Sequence, residues 1–178
     1  MRGLAAASRT LYAAAARVFS SVGDDFGLAY ASCGQGNALR LLGRYREARR
    51  FMEAAIRRYK KLGLFGPLGF VLWSRAQLNL LESRFRDAAA DLNASERCFR
   101  QARDPRGLVY VLLARAQWAH RQQRSASALN RRALRDAIRL HLKLESVHAR
   151  YALGRANSKD YARLGVVPNA YLRHSTLP

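Results

Sequence analysis

A forty-residue repetition constrains this chain more than any other feature. Gly36, Ala76, Ala116 and Ala156 fall on one repeat position, and the next position reads Asn37, Gln77, Gln117 and Asn157. The stretch Leu42-Gly43-Arg44-Tyr45-Arg46-Glu47-Ala48 returns as Ser83-Arg84-Phe85-Arg86-Asp87-Ala88, and in worn form from Gln123 to Ala128. The segments Leu68 to Gln77 (LGFVLWSRAQ) and Leu108 to Gln117 (LVYVLLARAQ) show the same kinship directly. A fixed period of this length marks an architecture of stacked units, each burying its apolar face against its neighbours.

Between the repeat positions the apolar spacing is helical. Asp24 and Asp25 are N-cap candidates for a helix to about Leu42, where Gly43 supplies the stop. A second helix runs from Tyr45 to about Leu62, with Glu47 in its first turn and Lys60 and Lys61 in its last, matching the helix dipole at both ends. Gly63 and Gly66-Pro67 are expected to break the chain. Helices then follow over Leu68 to Glu82, Phe85 to about Ala102 (stopped before Asp104-Pro105), Leu108 to Arg121, Ser127 to about Leu144 and Val147 to about Ser158. Gly165, Pro168, Asn169 and Pro178 leave no room for a long helix at the end, so 159–178 reads as a capping or disordered tail.

Residues 1–22 admit two readings. They hold Arg2, Arg9 and Arg17 but no acid and end in Ser20-Ser21, as a mitochondrial presequence does. Their register argues for a structural half-repeat, since Ala14, Val18, Phe19 and Val22 precede Ala54, Arg58, Tyr59 and Leu62 by one period and Gly23 matches Gly63. The expected organisation is an all-α, right-handed solenoid of about three and a half helix hairpins, with a half-repeat at 1–22 and the repeat domain at 24–158. Starting on a lone second-type helix suggests a piece of a larger array, or an end that a partner covers.

Composition narrows the class. An apolar fraction of 49% is that of a folded domain, and 32 basic against 12 acidic residues leave a net charge of +20. The basic residues are 28 Arg and four Lys. A GC-rich genome accounts for arginine over lysine, though not for the shortage of acids. Such a charge attracts nucleic acid, an anionic membrane or an acidic protein surface. Cys33 and Cys98 imply no disulfide framework and fit a reducing compartment, so the cytoplasm is the expected location, with the mitochondrial matrix as the alternative. No window approaches the roughly 18 consecutive apolar residues of a membrane span.

Helix pairs joined by the Leu42-Gly43-Arg44-Tyr45-Arg46-Glu47-Ala48 turn resemble tetratricopeptide repeats, in the longer-helix variety with a period near forty. The resemblance spans roughly residues 7–158 and is carried by Gly43, Tyr45, Ala48, Phe85, Ala88 and the small residues at 36, 76, 116 and 156. The third turn, Gln123 to Ala128, lacks the glycine and the aromatic. Gln35, Arg75, Arg115 and Arg155 stand where the family packs a leucine. The resemblance implies a concave groove lined by first helices that holds a partner's extended segment, with Asn37, Gln77, Gln117 and Asn157 at the peptide-contacting position. A carboxamide offers both a donor and an acceptor to an unpaired peptide backbone. The alternative is a solvated polar face.

Three further series accompany the amides. Tyr30, Phe70 and Tyr110 are aromatic at the repeat spacing, either core or, on the family's pattern, anchors in the groove. Arg75, Arg115 and Arg155 stack and would repel unless an anion sits between them, a partner's carboxylate, a phosphate, or Glu53, Asp91, Glu96 or Asp136. Arg57, Arg58, Lys60, Lys61, Arg131 and Arg132 lie on second helices, where a convex basic stripe suits phosphates, so RNA or DNA within a larger assembly is the alternative partner. The histidines 120, 141, 148 and 174 lack ligand spacing, so no metal is expected. No phosphate loop, nucleophile elbow or carboxylate pair is present, so neither catalysis nor a cofactor is expected. The expectation is a non-catalytic scaffold that binds an acidic protein segment.

Overall fold

The computed structural model describes residues 2–166, and every regular element among them is helical: α1 (Arg2–Ser21), α2 (Asp25–Leu41), α3 (Tyr45–Lys61), α4 (Phe65–Leu81), α5 (Phe85–Gln101), α6 (Pro105–Arg121), α7 (Ser127–Arg139), α8 (Lys143–Ala152) and α9 (Ser158–Ala162). The chain divides after Ala102 into two compact units. In the first, α1 to α5 pack each on the next and α2 also touches α4, a short all-α solenoid of hairpins. In the second, α6 packs on α7 and α8, α7 on α8, and α8 on α9.

The forty-residue repeat is built from two twenty-residue modules of one backbone design. Helices α2 to α6 each span 17 residues, and three-residue turns separate them. The second residue after each of the first six helices is left-handed: Gly23, Gly43, Gly63, Ser83, Arg103 and Gln123 have φ of 69°, 79°, 67°, 58°, 52° and 56°. The next N–H then closes back on the helix just ended, Arg44 on the Leu39 carbonyl at 2.9 Å, Leu64 on Tyr59 at 3.1 Å and Arg84 on Asn79 at 2.8 Å. That same residue is the N-cap of the following helix. Asp24 and Asp104 add a side-chain cap, accepting from the Gly27 and Gly107 N–H at 2.9 and 3.0 Å.

Several boundaries differ from the sequence expectation. Gly66 and Pro67 do not break the chain but lie in the first turn of α4, where N–H groups have no intrahelical acceptor to lose. Pro105 likewise opens α6. Helix α7 stops at Arg139 rather than near Leu144, because His141 turns left-handed (φ 55°) and the Leu142 N–H closes on the Ala137 carbonyl at 2.8 Å. Helix α8 begins at Lys143 and ends at Ala152, well short of Ser158, because Gly154 (φ 68°) places the Arg155 N–H on the Arg150 carbonyl at 2.8 Å. A further short helix, Ser158–Ala162, runs into the expected tail; residues 167–178, His174 among them, lie outside the described residues.

Small residues set the helix crossings. A Cβ on Gly36 would stand 2.8 Å from the Met52 Cγ and 3.2 Å from the Ala48 carbonyl, so α2 and α3 touch through backbone there. Ala76 and Ala116 are buried at the same repeat position, whereas Ala156 sits half-buried in the linker between α8 and α9, where no helix continues. Helix α1 meets α2 with the Phe19 ring over Gly27 and the Tyr12 ring over Gly34. Leu39, Met52, Ile56, Tyr59, Leu68, Val71, Leu72 and Leu78 join in one core cluster of the first unit.

Candidate binding faces

The exposed face of α2 and α4 combines rings and amides. Tyr30 and Phe70 stay 54% and 39% exposed although both neighbour other rings, Tyr12 at 5.9 Å and Trp73 at 5.4 Å. Asn37 and Gln77 follow seven residues later, two turns on along the same face, and both are half-buried. The Asn37 Nδ2 reaches the Cys33 Sγ at 3.7 Å, while its Oδ1 is enclosed without a donor.

Three residues further along α2 stands Arg40. Its Nε is enclosed without an acceptor, and it makes no ion pair among the described residues. Burial lowers its pKa below that of an ordinary guanidinium, against smaller opposing contributions from Tyr45 and Cys33. Arg40 is half-buried, and a carboxylate arriving from outside would give its enclosed Nε the acceptor it lacks. Arg40 was not among the residues singled out from the sequence. The signal was there, because one period later the same position holds the buried Leu80.

The members of the arginine series differ in their surroundings. Arg75 finds its anion inside the fold: its Nε and Nη2 donate to the two Asp91 oxygens at 2.9 and 2.6 Å, and that bidentate bond raises its pKa. Asn79 Nδ2 donates to the same carboxylate at 2.9 Å and accepts from Arg49 Nη2 at 2.7 Å, while Arg49 also pairs with Glu82. The network ties α3, α4 and α5 together. Arg115 is half-buried on α6, and Arg155 is exposed beyond the end of α8.

The amide and aromatic series also change in the second unit. Gln117 is half-buried on α6, but Asn157 is no groove residue: it caps α9, its Oδ1 accepting from the Lys159 N–H at 2.9 Å while its own N–H donates to Asp160 at 2.9 Å. Tyr110 is half-buried and pushed up to about 12, by burial first and then by the carboxylate of Glu145 that accepts its hydroxyl. Tyr161, fully buried, fixes α9 to α8 through a 2.9 Å hydrogen bond with His148 Nδ1 and an edge contact with Tyr151. Burial lowers the His148 pKa, opposed by Glu145.

The basic residues of second helices are unevenly neutralised. Lys61 lies 3.1 Å and Arg58 3.9 Å from Asp25, so one carboxylate serves both. Arg46, Arg50, Arg57 and Lys60 are exposed at helical spacing along α3 and make no ion pair among the described residues. Arg131 and Arg132 are exposed on α7, with Arg132 4.0 Å from Asp136. Both cysteines are buried and free, and burial pushes the Cys33 thiol up to about 11, which keeps it protonated and inert. Among the described residues no three His, Cys, Asp or Glu side chains converge as metal ligands, and no helix is long and apolar enough to cross a membrane.

No protein-family model, no curated protein and no solved structure matches this chain.

Proposed function

We propose that this is a non-catalytic binding module of tetratricopeptide type, which takes an extended acidic segment of a partner protein on the face of α2 and α4. The carrying observation is the orphaned polar pair on α2, the Asn37 Oδ1 without a donor and the Arg40 Nε without an acceptor, beside the exposed Tyr30. A partner backbone N–H supplies the donor and an Asp or Glu side chain the carboxylate, while Tyr30 and Phe70 offer rigid apolar anchors. Arg75 takes no part in this reading, being committed to Asp91. The test is a fluorescence titration with a Glu-rich peptide. Arg40→Gln should weaken binding by about 1.5–3 kcal/mol, as a charged hydrogen bond would, and Tyr30→Ala with Phe70→Ala should weaken it further. Binding indifferent to both changes would refute the reading.

A second reading rests on the α3 stripe of Arg46, Arg50, Arg57 and Lys60, whose charges have no internal partner among the described residues. Such a stripe suits the phosphates of RNA or DNA without reading sequence. Under it, Arg57→Glu with Lys60→Glu removes RNA binding and its steep salt dependence, while Arg40→Gln changes nothing.

A further inference from the structure

Helix α1 carries two apolar seams and uses one. Ala5, Tyr12 and Phe19, seven residues apart, face α2 and are buried or half-buried. One residue earlier Leu4, Leu11 and Val18 form a parallel heptad seam, extended by Val22, and these four side chains are 75%, 71%, 61% and 70% exposed. Ala7, Ala14 and Ala15 lie beside them on the helix, so a second helix can approach closely. At 100° per residue, Arg9 and Arg17 fall more than about 100° away from this seam. Its flanks carry only Ala, Ser, Gly and the edge of Phe19, and the helix has no carboxylate.

We propose that this seam pairs with the same seam of a second copy of the chain, antiparallel, with Leu11 on the two-fold axis. Leu4, Leu11 and Val18 are symmetric about Leu11, so Leu4 of one copy meets Val18 of the other and Leu11 meets Leu11, with Val22 beyond the paired stretch. Antiparallel pairing also sets the two helix dipoles head to tail. An acidic partner helix would find no arginine beside the seam, and an anionic lipid surface would find the charges turned away from it, whereas a neutral apolar copy meets its own kind. Two 20-residue helices side by side, each about 30 Å long and about 10 Å across, cover an area at the low end of specific interfaces, so the dimer is weak. Each copy carries +20, so repulsion opposes the pairing and salt relieves it.

The test is sedimentation equilibrium of the full chain at low and high salt, with cysteine cross-linking. The expected result is a monomer–dimer equilibrium that tightens with salt and weakens at least tenfold in Leu11→Glu, with the melting temperature unchanged at concentrations where both chains are monomeric, because Leu11 is exposed in the single chain. Cys33 and Cys98 are buried, so an added thiol reports alone: Leu11→Cys should form a disulfide-linked dimer, and Leu4→Cys should link to Val18→Cys but not to itself. A chain monomeric at all concentrations overturns the proposal, as does association that weakens with salt. Self-linking of Leu4→Cys as fast as Leu11→Cys overturns the antiparallel register. Flotation with phosphatidylserine vesicles that Leu11→Glu abolishes, without any dimer, assigns the seam to lipid and overturns it equally.

Discussion

From α2 to α5 in the first unit every helix spans 17 residues, whereas in the second unit α6 is followed by helices of 13, 10 and 5 residues. The left-handed turn residues make the same contrast, at 23, 43, 63 and 83 in the one and at 103, 123, 141, 154 and 165 in the other. Constant spacing returns each side chain to the same face of the next hairpin, which lets Arg49, Arg75, Asn79, Glu82 and Asp91 interlock across three helices. One period later the positions of Arg49, Asn79, Glu82 and Asp91 hold Ala89, Ala119, Gln122 and Arg131, so the second unit cannot repeat the network. It anchors its short helices instead through the Tyr110–Glu145 and His148–Tyr161 pairs.

The largest effect should come from breaking that network. Asp91→Ala leaves the half-buried Arg75 guanidinium and the buried Asn79 amide without their carboxylate, and should cost about 2–4 kcal/mol in chemical denaturation. The loss should appear in the amides of α3 to α5, with those of α7 to α9 unaffected. A loss below about 1 kcal/mol would mean that the regular unit does not depend on it.

Overpacking comes next. Ala76→Leu and Ala116→Leu both force side-chain volume into a close crossing and should each cost about 1–3 kcal/mol, one in each unit. Ala90→Leu, on the exposed side of α5, should be milder. Equal costs at all three positions would sink the crossing register.

The turns offer a smaller effect in the stabilising direction. Ser83→Gly and Gln123→Gly remove the left-handed strain while keeping the backbone, and each should gain up to about 1 kcal/mol, a few degrees in melting temperature. The same glycine at exposed Arg135, in the interior of α7, should destabilise. A fall in stability at Ser83→Gly would contradict a common turn design.

The smallest expected effect separates the units by pH. The first unit has no histidine. In the second, burial lowers the His148 pKa below the unfolded value of about 6.5, so the unfolded chain takes up the proton first. The stabilisation by neutral His148 is therefore complete above about pH 6.5 and is lost as pH falls from there toward the folded pKa. Hydrogen exchange at pH 7 and 5.5 should show α8 and α9 loosening relative to α2 to α5, and His148→Gln should flatten the difference.

Much of this was legible in the chain itself. Small residues at 36, 76 and 116 mark the crossings because backbone contact admits no larger side chain, and Gly43 and Gly63 mark turns because the left-handed backbone favours them. The twenty-residue module was hidden because Ser83, Arg103 and Gln123 occupy that conformation without looking like turn residues. Asn157 kept the repeat offset in sequence yet became a cap, since two earlier helix stops moved it off the helix. Asp91 was one of four acids that the sequence offered to the arginine series, and its pairing with Arg75 joins residues 16 apart on different helices; apolar periodicity carries no information about which of the four meets which arginine.

The central claim is that the face of α2 and α4, not the basic stripe of α3, is the recognition surface. Hydrogen exchange with and without a saturating Glu-rich peptide tests it most directly. The prediction is slowed exchange concentrated in residues 30–40 and 70–77 and lost in Arg40→Gln. Protection centred on 46–61 instead, or equal protection with Arg40→Gln, would contradict it.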